Sequence, residues 1–443
     1  MMDLKLLFKI LSATTDSQFS LKKECLGGIT TFLSMMYIIV VNPMILSQAG
    51  VPYDGALTAT LLVSFIGCVS MGIFSNNPIA VAPGMGINAF FTYAIVQHMN
   101  VSWQIALGVV FWSGILFTLM SLSNIRAILI MAIPKQIRHA VVVGIGLLIA
   151  VIALKSANII SSDPVNMIQM SKLNISFALF LGGLLFTGFL IYLRYSSAMI
   201  LGVALITIIY LLIDFLFPNL ALSTHFNGIL SMPNFSTFAQ LDLINSLSIA
   251  LWPAIFAFIF TILFDSMAGA IGVCEAGGLV DKNGDPRNFK EILAVDGISG
   301  VISGILGTSS AIGYIESVAG IEVGARTGIS AIVTGFLFLP FLFLSPLLAL
   351  VPAVATAPVL FIVGIHMVKT VRDIEWENIQ EAIPALLTIL IIPLTGSITH
   401  GVILGLLLWS GFRIMTVGIK GVSKTLLVIN ILSIVLLALD VIS

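Results

Sequence analysis

A helix needs roughly 20 mostly apolar residues to cross a bilayer, and runs of that length recur from residue 27 to the C-terminus. Short polar stretches separate them. The pattern predicts spans at 27–47, 54–74, 80–97, 103–122, 137–156, 174–193, 197–217, 247–274, 288–306, 308–320, 327–348, 353–369, 381–396 and 398–416. An all-α, polytopic membrane protein of about fourteen spans follows. The tail LLVINILSIVLLALDVI after Lys424 fits either a further span or a helix lying on the bundle.

Two of these segments are poor helices. NNPIAVAPGMGINAFF, Asn76 to Phe91, carries two prolines and two glycines before its helical part. GTSSAIGYIESVAG, Gly307 to Gly320, is rich in glycine, serine and threonine at the same end. Non-helical backbone at membrane depth survives only where protein or a water-filled cavity covers it. Interrupted segments at corresponding places in two halves of a chain point to a transporter's binding site. Here they are the third and tenth segments, each third in a set of seven. An odd repeat unit inverts the second half relative to the first. Weak echoes agree: VSMGIF at Val69 precedes the first break as VISGIL at Val301 precedes the second, and Pro134 and Pro352 each open a fifth span.

Composition changes the picture little. The 443 residues are 59% hydrophobic and only 9% charged, with a net charge of −1, against about a quarter charged in soluble domains. No basic cluster suggests a nucleic-acid partner; the partner implied is the lipid bilayer. The basic residues do add topology. With the N-terminus in the cytoplasm and alternating spans, only Lys155 and Lys172 of the 19 lysines and arginines fall outside, as the positive-inside rule demands. The N-terminal segment, with Lys5 and Lys9 four residues apart, suits a short helix on the membrane surface. Cys25, Cys68 and Cys274 read as packed thiols.

Candidate chemistry is sparse. A charge at mid-membrane costs about 3 kcal/mol even on insertion scales, so ionisable residues there mark function. Asp265, in IFTILFDSMAGAIG, and Glu316 lie well inside spans. Glu24, Glu275 and Glu322 fall near span ends, where water is close, and Asp54 and Asp214 are terminal. Asn88 stands at the first break where Glu316 stands at the second. Half-helices beginning near residues 87 and 314 would point their N-termini at each other, and their free N–H groups favour an anionic or hydrogen-bond-accepting partner. Burial favours a neutral carboxyl group, and a helix N-terminus favours the ionised one. A group held between those pressures can load and release a proton.

PGMGINAFF (Pro83 to Phe91), GTSSAIGYIESVAGIEVGARTGISAIVTG (Gly307 to Gly335) and VPAVATAPVLFIVG (Val351 to Gly364) resemble signature segments of the nucleobase–ascorbate transporter superfamily. The likeness runs from Gly27 to about Gly411 and is strongest to its hypoxanthine–adenine–guanine (AzgA-like) permease branch. It implies a 7+7 inverted repeat of the uracil-permease-like fold. Residues 1–26 would be a cytoplasmic N-terminal segment. A core domain would comprise 27–122 and 247–350, a gate domain 123–246 and 351–416, and 417–443 would be an apolar tail. It further implies import of a purine nucleobase by proton symport, a homodimer with an elevator-type motion in the plasma (inner) membrane, and no cofactor. In that family the eighth-span acid, tenth-span glutamate and third-span asparagine contact or shape the purine site. They match Asp265, Glu316 and Asn88. Phe90, Phe91, Phe264 and Tyr314 are near enough in sequence to stack on a base.

The chain departs from the branch pattern in three places. A Gly-Thr pair is expected just beyond Asp265, where Ala268-Gly269 stands; hydroxyl residues are expected at Ile312 and Gly313; His400 replaces an acidic or amide residue. His400 is either a second titrating group for proton coupling or an interfacial histidine near a span end. Gly84-Met-Gly86-Ile-Asn88-Ala89 mimics a dinucleotide fingerprint without the βαβ unit that gives it meaning. DKNGDPRN, Asp281 to Asn288, is a turn rather than a calcium loop. The charge run Lys369 to Glu381 suits an amphipathic helix. An anion exchanger or channel of the same inverted-repeat fold is the alternative, but it would want basic residues at the breaks, and there are none. An intramembrane aspartyl protease would need a second aspartate facing Asp265.

The charge asymmetry makes one prediction. A reporter fused near Asp285 reads cytoplasmic and one near His225 reads external; the opposite result at either site overturns the span map.

Overall fold

The computed structural model describes residues 20–123, 134–163, 167–171, 174–216, 230–280, 286–348, 350–395, 398–423, 426–427, 430–431 and 433–434. Among these residues the chain is mostly helical, and nine helices are long and apolar enough to cross a membrane. The anticipated surface helix around Lys5 and Lys9, most of the loop after Val280, and most of the tail lie outside them.

The chain enters with α1 (Leu21–Met35) and α2 (Ile38–Ser47), one apolar stretch broken at Met36 and Tyr37. Helix α3 (Tyr53–Ser70) runs into a wide π-helical turn, Met71–Ser75, and stops at Asn76, whose φ of 49° is left-handed. Strand β1 (Val81–Pro83) follows, then α4 (Met85–Ala89), which widens into π-helix from Phe90 to His98. Helix α5 (Trp103–Leu122) begins at Ser102, whose hydroxyl accepts from the Ile105 amide, an N-cap that relieves one of the unpaired first-turn donors. Helix α6 (Lys135–Ser156) leads to a hairpin absent from the sequence reading, β2 (Ile160–Asp163) against β3 (Met167–Met170). Helices α7 (Ile175–Tyr192) and α8 (Ala198–Leu216) pack together and leave most of their apolar surface exposed, as lipid-facing helices do.

A long connection then crosses the molecule. It is held by the Ala239 amide on the Ile305 carbonyl at 2.7 Å and the Asp242 amide on the Gln104 carbonyl at 2.9 Å. The second half contains α9 (Trp252–Gly277), α10 (Phe289–Leu306), β4 (Ala311–Gly313), a 3-10 turn at Ile315–Ser317, α11 (Val318–Val323) and α12 (Gly328–Phe338). The chain bends by 114° between the Ile315–Val323 segment and the helix from Gly328. Short α13 (Ser345–Leu348), then α14 (Ala353–Val368), α15 (Ile379–Thr395) and α16 (Ile398–Val417), complete the described fold.

These helices pack in two groups. In one, α10 lies on α5 and α3, α12 on α1 and α3, and α9 on α5 and α11. In the other, α14 and α15 both lie on α6, α15 also on α16, and α14 also on α7 and α8. Lipid removes the hydrophobic drive between membrane helices, so close approach of small residues replaces it. At the α6–α14 crossing, a Cβ on Gly364 would come within 2.6 Å of the Gly146 carbonyl oxygen.

The centre of the first group is not helical. Strands β1 and β4 pair antiparallel, Val81 opposite Gly313, Ala82 opposite Ile312 and Pro83 opposite Ala311, and all six residues are buried. The Tyr314 amide donates to the Ala80 carbonyl at 2.8 Å and the Gly84 amide to the Ser310 carbonyl at 3.1 Å. Side chains support the pair: Ser317 Oγ accepts from the Ala80 amide, and Asn42 Nδ2 donates to both Thr60 and Thr308.

Two expectations need correcting. Residues 369–381 do not form an amphipathic helix: a 3-10 turn, Lys369–Asp373, gives way to a bend, and α15 begins at Ile379. The Trp376 indole donates to the Val371 carbonyl and the Glu375 amide to Gln136 Oε1, bonds that favour the turn. Glu24 is not at a watery helix end but 2% exposed. Its carboxylate accepts from the Arg326 and Thr327 amides at 2.8 and 3.1 Å, because the loop between α11 and α12 folds over it.

Candidate functional site

The β1–β4 pair decides where two short helices start. Strand β1 hands over at Gly84 to α4, and β4 hands over at Tyr314 to the turn that carries Glu316. The first intrahelical bond of α4 runs from the Asn88 amide to the Gly84 carbonyl, so the Met85, Gly86 and Ile87 amides precede the ladder. Beside these starts lies a cavity of about 240 Å³. One wall comes from the first packing group: Tyr37, Gly84 to Gly86, Asp265, Gly269 and Ile312 to Glu316. The opposite wall is Val142 of α6, Val363, His366 and Met367 of α14, and Thr370 beyond it.

Asp265, Glu316 and Tyr314 thus meet at one cavity. Glu316 accepts a 2.7 Å hydrogen bond from the Tyr37 hydroxyl. The Tyr314 hydroxyl donates to the Pro83 carbonyl, which fixes the ring as a wall. Asp265 faces the first short helix: a Cβ on Gly86 would lie 3.6 Å from its Oδ2. No lysine or arginine is among the lining residues. Two of the three departures from the branch pattern also fall here. A Cβ on Gly269 would come 2.8 Å from the Gly313 carbonyl oxygen, so glycine lets α9 lie against β4, and Ile312 puts an alkyl group where a hydroxyl was expected.

The other candidates sit elsewhere. Asn88 is fully buried and outside the cavity lining, accepting from the Ser309 hydroxyl with its amide 3.8 Å from Met85 Sδ. It ties the two broken segments together. Phe91 is fully buried in the core, and Phe90 packs on Phe258 with ring centroids 4.9 Å apart. The Phe264 side chain lies outside the described residues. His400 lies at the start of α16 with its ring 6.2 Å from that of His98, and is not among the cavity-lining residues.

Sequence reasoning missed three residues. Tyr37 sits in an apolar run and shows no signal beyond interrupting it. His366 lies near a span end. Asp296, in the middle of α10, is fully buried; its carboxyl faces the Ser266 hydroxyl and the Gly313 amide, with neither oxygen in full hydrogen-bond contact with a described donor. It lies beside Gly313 of β4 and is not among the cavity-lining residues. A second, larger cavity of about 550 Å³ lies between Gln48, Tyr93 and Gln97 on one side and Leu148, Ile152 and Lys155 on the other, and holds no carboxylate.

The sequence profile of the permease family, the xanthine/uracil permeases, matches residues 22–404. The chain belongs to that family. This permease is 37% identical over 413 residues to the adenine permease AdeP of Escherichia coli, covering 93% of this chain and 91% of AdeP. It is also 37% identical over 402 residues to the guanine/hypoxanthine permease PbuO of Bacillus subtilis, covering 88% and 91%. The permease is therefore a multi-pass membrane protein of a transporter family, not an enzyme. Its fold is that of the transmembrane domain of the cyanobacterial bicarbonate transporter BicA, with a TM-score of 0.62 at 18% identity, over 88% of this chain and 98% of that one. Murine Slc26a9, an anion transporter in its inward-facing state, aligns with a TM-score of 0.67 at 12% identity, over 94% and 72%. At such identities the likeness speaks for the fold alone.

The Asn88–Ser309 contact generates a prediction. Asn88→Ala and Ser309→Ala each lower thermal stability in detergent by the cost of an orphaned buried group, about 1–3 kcal/mol. The double variant is little worse than either single one. Fully additive losses would show that the pair is not coupled.

Proposed function

We propose that this permease imports purine nucleobases, bound between Asp265 and Glu316 and driven by protons. The observation that carries the reading is the cavity itself: two carboxylates and two helix starts around a compact space without a cation. A neutral purine offers N–H donors and ring-nitrogen acceptors along its edges. The carboxylates take the donors, the free amides at Met85 to Ile87 suit the acceptors, and Tyr314 offers a face for the ring. The names of AdeP and PbuO add the substrate class, adenine or guanine and hypoxanthine.

An anion would meet two carboxylates and no lysine or arginine among the lining residues. The anion-exchanger alternative therefore rests on the fold neighbours alone.

The finer architecture belongs to the same proposal. The two broken segments, their strands running antiparallel, act as the third and tenth of fourteen spans in a 7+7 inverted repeat. The two packing groups act as the core and gate domains, divided at the boundaries given above, and the cavity lies between them. The core slides against the gate in an elevator motion, within a homodimer in the inner membrane with its N-terminus in the cytoplasm. The cavity sits beside Val142 and Met367, toward the ends of α6 and α14 that carry Lys135 and Lys369, so this conformation opens inward. Glu316 and Asp265 load the coupling proton, Tyr37 positions Glu316, and Asn88 and Phe91 shape the site from behind. His400, at the opposite end of the gate, is a subsidiary group in coupling.

The test is uptake of labelled adenine, guanine and hypoxanthine in a transporter-deficient strain, at matched expression. A charge-assisted hydrogen bond contributes about 1.5–3 kcal/mol, so Glu316→Gln and Asp265→Asn each weaken purine affinity about ten- to hundredfold. Glu322→Gln, on an exposed residue of α11, leaves it unchanged. An uncoupler abolishes accumulation in the parent and sodium is not required. Parent-like uptake by Glu316→Gln would reject the site, and sodium dependence without any effect of pH would reject the proton.

A further inference from the structure

We infer that His366 is a substrate-binding residue supplied by the gate, and that it touches the purine only in the inward-facing conformation; this rests on the purine reading above. His366 lines the same cavity as Asp265 and Glu316 but comes from the opposite wall. Its helix, α14, packs mainly on α6, α7 and α8 and touches α2 and the start of α4 more lightly. The carboxylates, by contrast, belong to α9 and to the turn after β4, which pack on each other and on α11. The two sides of the cavity thus come from different packing groups, which the elevator motion proposed above would move against each other.

The imidazole has the chemistry this wall otherwise lacks. Val142, Val363 and Met367 are apolar, and the Thr370 hydroxyl already donates to the Met367 carbonyl at 2.9 Å. His366 is exposed to the cavity, and no hydrogen-bond partner for it is found among the described residues. A neutral imidazole presents one donor and one acceptor. It can meet either an exocyclic amino group or an exocyclic carbonyl on a purine edge that the carboxylates do not hold.

Position along α14 makes the contact specific to one state. His366 lies near the Lys369 end of α14, whereas Ala353 at the other end lines the larger cavity with Gln48 and Lys155. A core that carries its purine toward that end leaves His366 behind. The outward-facing site then forms against the Leu148, Val151 and Ile152 stretch of α6, where no imidazole of α14 can follow. His366 would hold the purine at the cytoplasmic side and so set how readily it is released there.

The experiment is purine exchange in membrane vesicles of both orientations, with the half-saturating purine concentration measured separately from each face. A net hydrogen bond contributes about 0.5–1.5 kcal/mol, or about two- to tenfold in affinity. His366→Ala and His366→Phe raise the half-saturating concentration by that factor from the cytoplasmic face and leave the external face unchanged. His366→Gln, which keeps a donor and an acceptor, stays near the parent on both faces. Phe fills the space, so its loss cannot be assigned to a collapsed helix packing. Equal shifts on both faces, no cytoplasmic shift, or a Gln variant as weak as Phe would overturn the inference while leaving the purine reading intact. A parent chain that exchanges no purine from either face would overturn both.

Discussion

A strand pair of six buried residues holds the centre of this permease together. Inside a membrane every N–H and C=O must find a partner within the protein, and each failure costs several kcal/mol. The chain leaves helical geometry twice, before Gly84 and before Tyr314, and the two lapses satisfy each other. The Tyr314 amide reaches the Ala80 carbonyl, and the Gly84 amide reaches the Ser310 carbonyl. Because the pairing is antiparallel, each strand hands over to its helical turn from the opposite direction. Ser317, Asn42, Thr60 and Thr308 spend their polar groups on the same task. What results is a rigid platform that delivers two helix starts and a glutamate to one side of a cavity.

That platform also sets the electrostatics. Glu316 and Asp265 stand at the cavity without a lysine or arginine among its lining residues. Glu316 leans on the Tyr37 hydroxyl, and Asp265 faces the start of α4 across Gly86. Acceptors outnumber donors on this wall, so the complementary ligand brings N–H groups of its own. The same fold in BicA and Slc26a9 belongs to proteins described as bicarbonate and anion transporters. Fold and cargo are separable, so the cargo of those proteins does not carry over to this chain.

Much of this was legible in the sequence because membrane helices announce themselves by length and apolarity. Helix α5, expected at 103–122, begins at Trp103 and ends at Leu122. The loss of helix at Val81–Pro83 and Ala311–Gly313 was also legible, since the glycines and prolines around them disfavour helix. Glu316 and Asp265 stood out because charge is rare at that depth. Direction was not legible. Asn88 and Phe91 follow the same break as Gly86, but the strand pairing turns them inward, and no periodicity encodes a tertiary strand register. Tyr37 was hidden by its apolar neighbours. Asp296 stands in the middle of the 288–306 span and carries the same signal of charge at depth as Asp265. Glu24 looked solvated because the loop that buries it lies some three hundred residues later in the chain.

The most direct test of this account is an experimental structure of the purified protein with a purine bound. The base is predicted to lie between Asp265 and Glu316, within hydrogen-bond distance of both, with an edge toward the Gly84–Gly86 turn. A purine seated instead in the larger cavity, among Gln48, Tyr93 and Lys155, with nothing bound at the carboxylates, would contradict it.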